Sequence, residues 1–204
     1  VGAAGSMLGT KALQIFDDQD LPRATPGGVL DRLAEPATMA SCHDRTVDVN
    51  QRMRECFTAF QGFVALGNNY AAAFTADASR ADDVMRLSEG MVLAADAVKI
   101  VADEFAATLD PSDPTYERRM GGMRQANQGL QNMMRGAITM LTERSTYSDA
   151  ARARFAGVVA ATYPRLTAGL TPEARAELDA TLRTIAREDQ HAGVRTALAA
   201  YAGD

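Results

Sequence analysis

The feature that most constrains the fold is the spacing of apolar residues, which recur every three or four positions over three long segments. In the first segment, roughly 47–76, these positions are Met53, Cys56, Phe57, Phe60, Phe63, Val64, Tyr70 and Phe74. The segments 80–109 and 114–145 repeat the pattern. This spacing places the apolar side chains on one face of an α-helix. The sequence therefore predicts an all-α protein with three long amphipathic helices.

Local signals predict where the helices begin and end. The run Asp110–Pro114 separates the second and third long helices, because its two prolines cannot continue a helix. Ser148 and Thr171 are good N-caps, and Pro172 suits the first helical position. We predict three shorter helices, over 149–168, 172–189 and 192–201. Short connections favour antiparallel neighbours, so we predict an up-down antiparallel bundle of three long helices completed by the shorter C-terminal helices.

The first 45 residues differ from the rest of the chain, because prolines and glycines between Pro22 and Pro36 interrupt regular structure repeatedly. We predict a short helix over 7–16 and one helical turn over 29–33 within an otherwise irregular N-terminal arm, 1–45, that is partly disordered. The remainder, 46–204, is predicted to be a single helical-bundle domain.

Composition and charge exclude some classes of function. The net charge is −5, which argues against a nucleic-acid partner, since such domains are basic. No apolar run approaches the ~18–20 residues that a transmembrane helix needs. Nearly all of the basic residues are arginine, and alanine is abundant, which indicates a GC-rich and therefore bacterial genome.

Two features bear on the compartment. The chain begins at Val1 rather than Met, which we interpret as processing or truncation, or as a cloning remnant over 1–6. Together with the Pro/Gly-rich arm, this favours an extracytoplasmic over a cytoplasmic location. Cys42 and Cys56 are compatible either with one disulfide, joining the arm to the first long helix, or with two reduced thiols.

The third long helix carries an unusual stripe, Gly122, Gly129 and Gly136, at a spacing of seven. Each glycine inside a helix costs about 1 kcal/mol relative to alanine, so the stripe must serve a purpose. The interpretation we favour is close helix–helix packing; the alternative is a groove for a small apolar ligand. The ligand-binding residues of that alternative are Gly122, Met123, Asn127, Gly129, Met133 and Gly136.

Two residue types on the same helix admit more than one interpretation. Its many methionines suit either a core or an adaptable apolar surface. Asn127, in the apolar seam, either fixes the helix register or meets a polar ligand.

Motifs for catalysis and metal binding are missing. The chain has only two histidines, His43 and His191, and the pair Glu188-x-x-His191 occurs once, whereas di-iron bundles use it twice. No nucleophile elbow, phosphate-binding loop or zinc-protease motif is present. We therefore expect no metal and no cofactor, and we lean against an enzyme.

These observations predict a non-enzymatic helical module that binds another protein. The alternative is a carrier or sensor of a small apolar ligand bound between helices beside the third long helix. The sequence leaves the oligomeric state open.

Overall fold

The computed structural model of the protein describes residues 21–203, so the predicted helix over 7–16 lies outside the described residues. Within this range the chain forms α-helices and no β-strand, and the all-α prediction is confirmed. The α-helices are α1 (Val29–Leu33), α2 (Val49–Ala76), α3 (Ala81–Ala106), α4 (Tyr116–Thr142), α5 (Asp149–Leu166), α6 (Pro172–Glu188) and α7 (Ala192–Ala197). Three 3-10 helices cover Pro36–His43, Ala78–Arg80 and Ala199–Tyr201. None of the helices described is apolar over a length that would cross a membrane.

Side-chain caps begin three of the described α-helices. The Asp48 carboxylate accepts a hydrogen bond from the Asn50 N–H at 2.9 Å and so starts α2. The hydroxyl groups of Ser148 and Thr171 accept from the N–H three residues further on, at 3.2 and 3.3 Å. These bonds satisfy N–H groups that have no partner inside the helix, and they explain why local sequence signals located these helix starts.

Helix α3 occupies the centre of the fold, because α2, α4 and α5 all pack against it. Helices α2 and α3 are antiparallel, since Arg52 near the start of α2 pairs with Glu104 near the end of α3 at 2.7 Å. The up-down order of the whole bundle stays a prediction. Fully buried core side chains include Leu66, Met85, Val98, Met134, Leu141 and Phe155.

The described part of the predicted arm, 21–45, packs against α2 and α3. Tyr70 on α2 and Arg80 before α3 both donate hydrogen bonds to the Pro22 carbonyl, each at 2.7 Å. Leu30 and Met39 are buried in the core, with 1% and 3% of their surface exposed. This segment is therefore part of the hydrophobic core, although its sequence lacks a long helical pattern.

Arg86 joins this segment to α3 and also pairs with a buried carboxylate. Arg86 on α3 donates to Asp31 on α1 at 2.7 Å and also to Glu89, one turn further along α3. Arg154 on α5 lies 3.5 Å from the other Glu89 oxygen. Burial raises the pKa of Glu89, and the arginine charges only partly offset that effect.

Helix α5 continues through Pro164 to Leu166. Proline has no N–H, so the carbonyl of Ala160, four residues earlier, loses its partner within the helix. The Tyr201 hydroxyl donates to that carbonyl at 3.0 Å, and the Tyr163 and Tyr201 rings meet edge to face at 5.4 Å. The C-terminal segment thus satisfies the group that the proline leaves unpaired.

A buried ion pair connects α5 to the segment between α6 and α7. Arg152 hydrogen-bonds to the Asp189 carboxylate and donates to the Leu141 carbonyl at 2.7 Å. Asp189 also accepts from the His191 N–H at 3.0 Å, and Arg144 lies 3.7 Å away. Burial alone would raise the pKa of Asp189, but the hydrogen bonds from Arg152 and His191 and the arginine charges hold it below its usual range.

Candidate ligand-binding groove

An apolar groove of about 450 Å³ lies where α3, α4 and α5 meet. Helix α4 supplies one long wall, α3 supplies a second, and α5 contributes an aromatic ring. The lining residues are Ser88, Met91, Val92, Gly129, Met133, Gly136, Ala137, Met140 and Phe155. The volume falls within the roughly 300–1,000 Å³ of typical small-molecule sites. We call this site the apolar groove.

The glycine stripe on α4 faces open space. A Cβ atom built at Gly122, Gly129 or Gly136 would meet nothing within 4 Å, and Gly129 and Gly136 line the apolar groove. The prediction of close helix–helix packing at these glycines is therefore wrong. No neighbouring backbone approaches them, because all three glycines lie on an exposed face of α4. The missing side chains leave volume in the groove instead.

Methionines give the groove an adaptable wall. Met91 of α3 and Met133 and Met140 of α4 are partly buried, and all three line it. A Cβ added at Gly67 on α2 would lie 2.8 Å from the Met91 sulfur, so this glycine makes room for the methionine. Thioether side chains have several rotatable bonds and fit ligands of varied shape. The helical spacing identified Met133, but nothing in the sequence indicated that Met91 and Gly67 would meet.

The groove has a single polar lining side chain and no charged one. The Ser88 hydroxyl donates to the Val84 carbonyl, one turn earlier on α3, at 2.9 Å. Its oxygen still has capacity to accept a hydrogen bond. The lining is therefore mainly apolar.

The structure brings together only part of the predicted site. Gly129, Gly136 and Met133 line the groove, whereas Gly122, Met123 and Asn127 lie on the preceding turns of α4, outside the lining. The residues that sequence reasoning missed are Ser88, Met91, Val92, Ala137, Met140 and Phe155. Phe155 and the α3 residues carry no local signal of this role, since they reach the groove only through tertiary packing.

Cys42 and Cys56 do not line the groove. They form a disulfide, with the sulfur atoms 2.15 Å apart and the Cα atoms 5.5 Å apart. Both cysteines are buried, and the bond joins the 3-10 helix Pro36–His43 to α2. It closes a covalent loop at the point where the N-terminal segment enters the core.

A second groove, of about 370 Å³, lies between the end of α4 and α6 and is lined by Thr142, Arg144, Thr181, Thr184 and Ile185. Each threonine hydroxyl donates to a backbone carbonyl of its own helix. Among the described residues, no group of three His, Cys, Asp or Glu side chains is placed to hold a metal ion. The apolar groove is therefore the stronger candidate site.

The open glycines of the groove predict a stabilising substitution. We expect Gly129→Ala and Gly136→Ala each to raise the free energy of unfolding by about 1 kcal/mol, because alanine favours the helix and its methyl group meets no atom. Urea denaturation measures the change. Gly90→Ala on α3 is the contrasting variant, since its Cβ would lie 2.9 Å from the Phe63 ring and should destabilise the protein. A loss of stability in the α4 variants would contradict the open environment described here.

Comparison of the chain with protein-family models, with curated proteins and with solved structures finds no match.

Proposed function

We propose that the protein is a non-enzymatic carrier or sensor that binds a small apolar molecule in the apolar groove. One observation carries the proposal: Gly129 and Gly136 line a groove that their missing side chains leave open. Glycine at these two positions lowers helix stability without improving any packing contact. A ligand that occupies the space would account for both the glycines and the methionines around them.

The apolar dye N-phenyl-1-naphthylamine tests the proposal, because its fluorescence rises when it leaves water. We expect the protein to bind the dye, and we expect Gly129→Leu and Gly136→Leu to weaken binding by about tenfold or more. At either position the Cβ atom of the new side chain would meet no atom within 4 Å, so the substitution introduces no clash at that atom. The measurement is a fluorescence titration with each variant.

Gly122→Leu is the matched control. It lies on the same helix, has an equally open Cβ environment and does not line the groove. It should bind the dye as the wild type does. Equal binding by all three leucine variants would place the dye elsewhere and overturn the proposal. Native mass spectrometry of the purified protein adds an independent readout. If a ligand is retained, the mass of the complex exceeds the mass of the chain by a few hundred daltons.

The second candidate function, binding to another protein, is supported by a different surface. Phe57 on α2 is 38% exposed, the one large apolar side chain in the described range with that much exposure. Its ring lies 6.3 Å from that of the partly buried Phe60. If this surface binds a protein, Phe57→Ser should weaken that interaction and leave dye binding at the groove unchanged.

A further inference from the structure

We propose that the N-terminal segment 7–16 of this same chain docks as a helix in the apolar groove. The segment lies outside the described residues, and its sequence predicts a short helix. The inference goes beyond the proposed function, because it concerns what covers the groove when no small molecule is bound. It rests on an uncovered apolar face, on the place where the described chain begins, and on the spacing of apolar residues in the segment.

The apolar face lies along α3, between α2 and α4. Both of these helices pack against α3, but within residues 21–203 no substantial packing joins them to each other. The strip of α3 between them carries Val84, Ser88 and Met91, which recur at helical spacing and are only half-buried. On the α4 side, Gly129 and Gly136 are exposed. An open apolar groove between helices is a surface on which an amphipathic helix docks.

The described chain begins at one end of this face. Leu21 is buried, and Arg80, just before α3, donates hydrogen bonds to the Leu21 and Pro22 carbonyls at 3.1 and 2.7 Å. Ser88 follows Arg80 by eight residues, which is about 12 Å along the helix axis. An extended link from Phe16 to Leu21 spans up to about 17 Å. The segment is therefore tethered within reach of the groove.

The direction of the segment follows from this attachment. Helix α4 ends near the start of α3, since the Ser148 N–H, six residues after α4, donates to Asp82 at 2.9 Å. The segment leads into Leu21 at that same end, so in the groove it runs parallel to α4. Its ten residues form a helix about 15 Å long, and the α4 wall from Gly129 to Met140 is about 16 Å long.

A parallel segment also matches the α4 wall in spacing. Its residues Leu8, Ala12 and Ile15 recur at intervals of four and three, which places them on one face of a helix. The wall repeats these intervals with Gly129, Met133 and Gly136. The two large side chains of the segment thus come beside the two glycines, and its alanine comes beside the methionine. Helices interdigitate when large residues face small ones in this way.

Cysteine cross-linking tests this placement in the full chain. Cys42 and Cys56 are joined and buried, so an introduced pair reacts with itself. Mild oxidation of Ala12→Cys/Met133→Cys should form a disulfide within the chain, because docking brings the two positions together. Gln14→Cys/Met133→Cys is the matched control, since Gln14 lies on the opposite face of the predicted helix. It should cross-link about tenfold more slowly.

Peptide mapping by mass spectrometry without reductant identifies the linked positions. Equal cross-linking rates in the two variants would mean that the segment is tethered but not docked, and would overturn the inference. A cross-link that joins two chains, in place of one within a chain, would also overturn it, because the segment would then lie on a second copy.

Dye binding separates this inference from the proposed function. Ile15→Asp should release the segment and lower the dissociation constant of N-phenyl-1-naphthylamine by about threefold or more, because the segment no longer competes for the groove. Gln14→Asp should leave that constant unchanged. If no variant binds the dye but Ala12→Cys/Met133→Cys cross-links, the proposed function fails and the inference stands. If the wild type and Ile15→Asp bind the dye equally and no cross-link forms, the inference alone fails.

Discussion

Replacing Asp189 by asparagine is expected to lower the free energy of unfolding by about 3–5 kcal/mol, because it leaves the buried Arg152 guanidinium without its counter-charge. Arg152 and Asp189 are 1% and 2% exposed, and no solvent can replace the lost partner. The pair joins α5 to the segment between α6 and α7. Asparagine has almost the size of aspartate, so the effect reports charge rather than volume. Urea denaturation followed by circular dichroism measures it.

Two further variants serve as controls for the effect of Asp189→Asn on stability. Glu188→Gln removes an exposed carboxylate next to Asp189 and should change stability by less than about 0.5 kcal/mol. Asp149→Asn tests the weaker partner of Arg152, at 3.8 Å on the surface, and should cost at most about 1 kcal/mol. If Asp189→Asn were as mild as these two, the buried pair would not hold the C-terminal helices in place.

The same substitution should have a defined pH dependence. The pKa of Asp189 is lowered in the folded protein, so its contribution is fully present above the pKa of the unfolded chain, about 3.9. The contribution is lost as the pH falls through the lowered folded-state value. The stability difference between the wild type and Asp189→Asn should therefore be constant near neutral pH and shrink below about pH 4. The pKa of Glu89 is raised in the folded protein, so its effect on the pH dependence of stability has the opposite sign. Glu89 is present in both proteins, and the difference in free energy of unfolding between the wild type and Asp189→Asn therefore isolates Asp189.

Sequence patterns predicted the helices because their determinants are local. Asp48, Ser148 and Thr171 cap helices through bonds to residues two or three positions away. The ends of the long helices were less accurate: the segments 80–109 and 114–145 became Ala81–Ala106 and Tyr116–Thr142. The prolines between these helices show where a helix must stop but do not fix its last residue. In the structure, Asx turns at Asp110 and Asp113 lie between the end of α3 and the start of α4.

The groove and the ion pair depend on distant residues, and the sequence could not place them. The seven-residue glycine spacing indicated a special surface on α4, but the purpose of that surface depends on what faces it. Phe155 and Met91 come from other helices and line the groove together with α4. Arg152 and Asp189 are 37 positions apart with no motif connecting them. Such pairs become visible only when packing brings their helices together.

The disulfide gives the second large effect. Replacing both Cys42 and Cys56 by alanine is expected to lower the free energy of unfolding by about 3 kcal/mol, the loop-closure value for a cross-link of roughly this span. The two cysteines are 14 positions apart, and their bond restricts the unfolded chain between them. The alanine pair also removes two buried sulfur atoms from the core, which acts in the same direction. Urea denaturation in the absence of reductant measures the change.

A reductant separates the cross-link from the packing. Both sulfurs are buried, so reduction should require unfolding, and the native wild type should resist reductant while the urea-unfolded chain does not. Wild-type protein reduced in urea and refolded under reductant should then approach the stability of Cys42→Ala/Cys56→Ala. The double variant itself should be insensitive to reductant. If the refolded, reduced wild type kept its full stability, the covalent bond would not be what holds the N-terminal segment on α2 and α3. Packing would then hold it, through Leu30, Met39 and the 3-10 helix Pro36–His43.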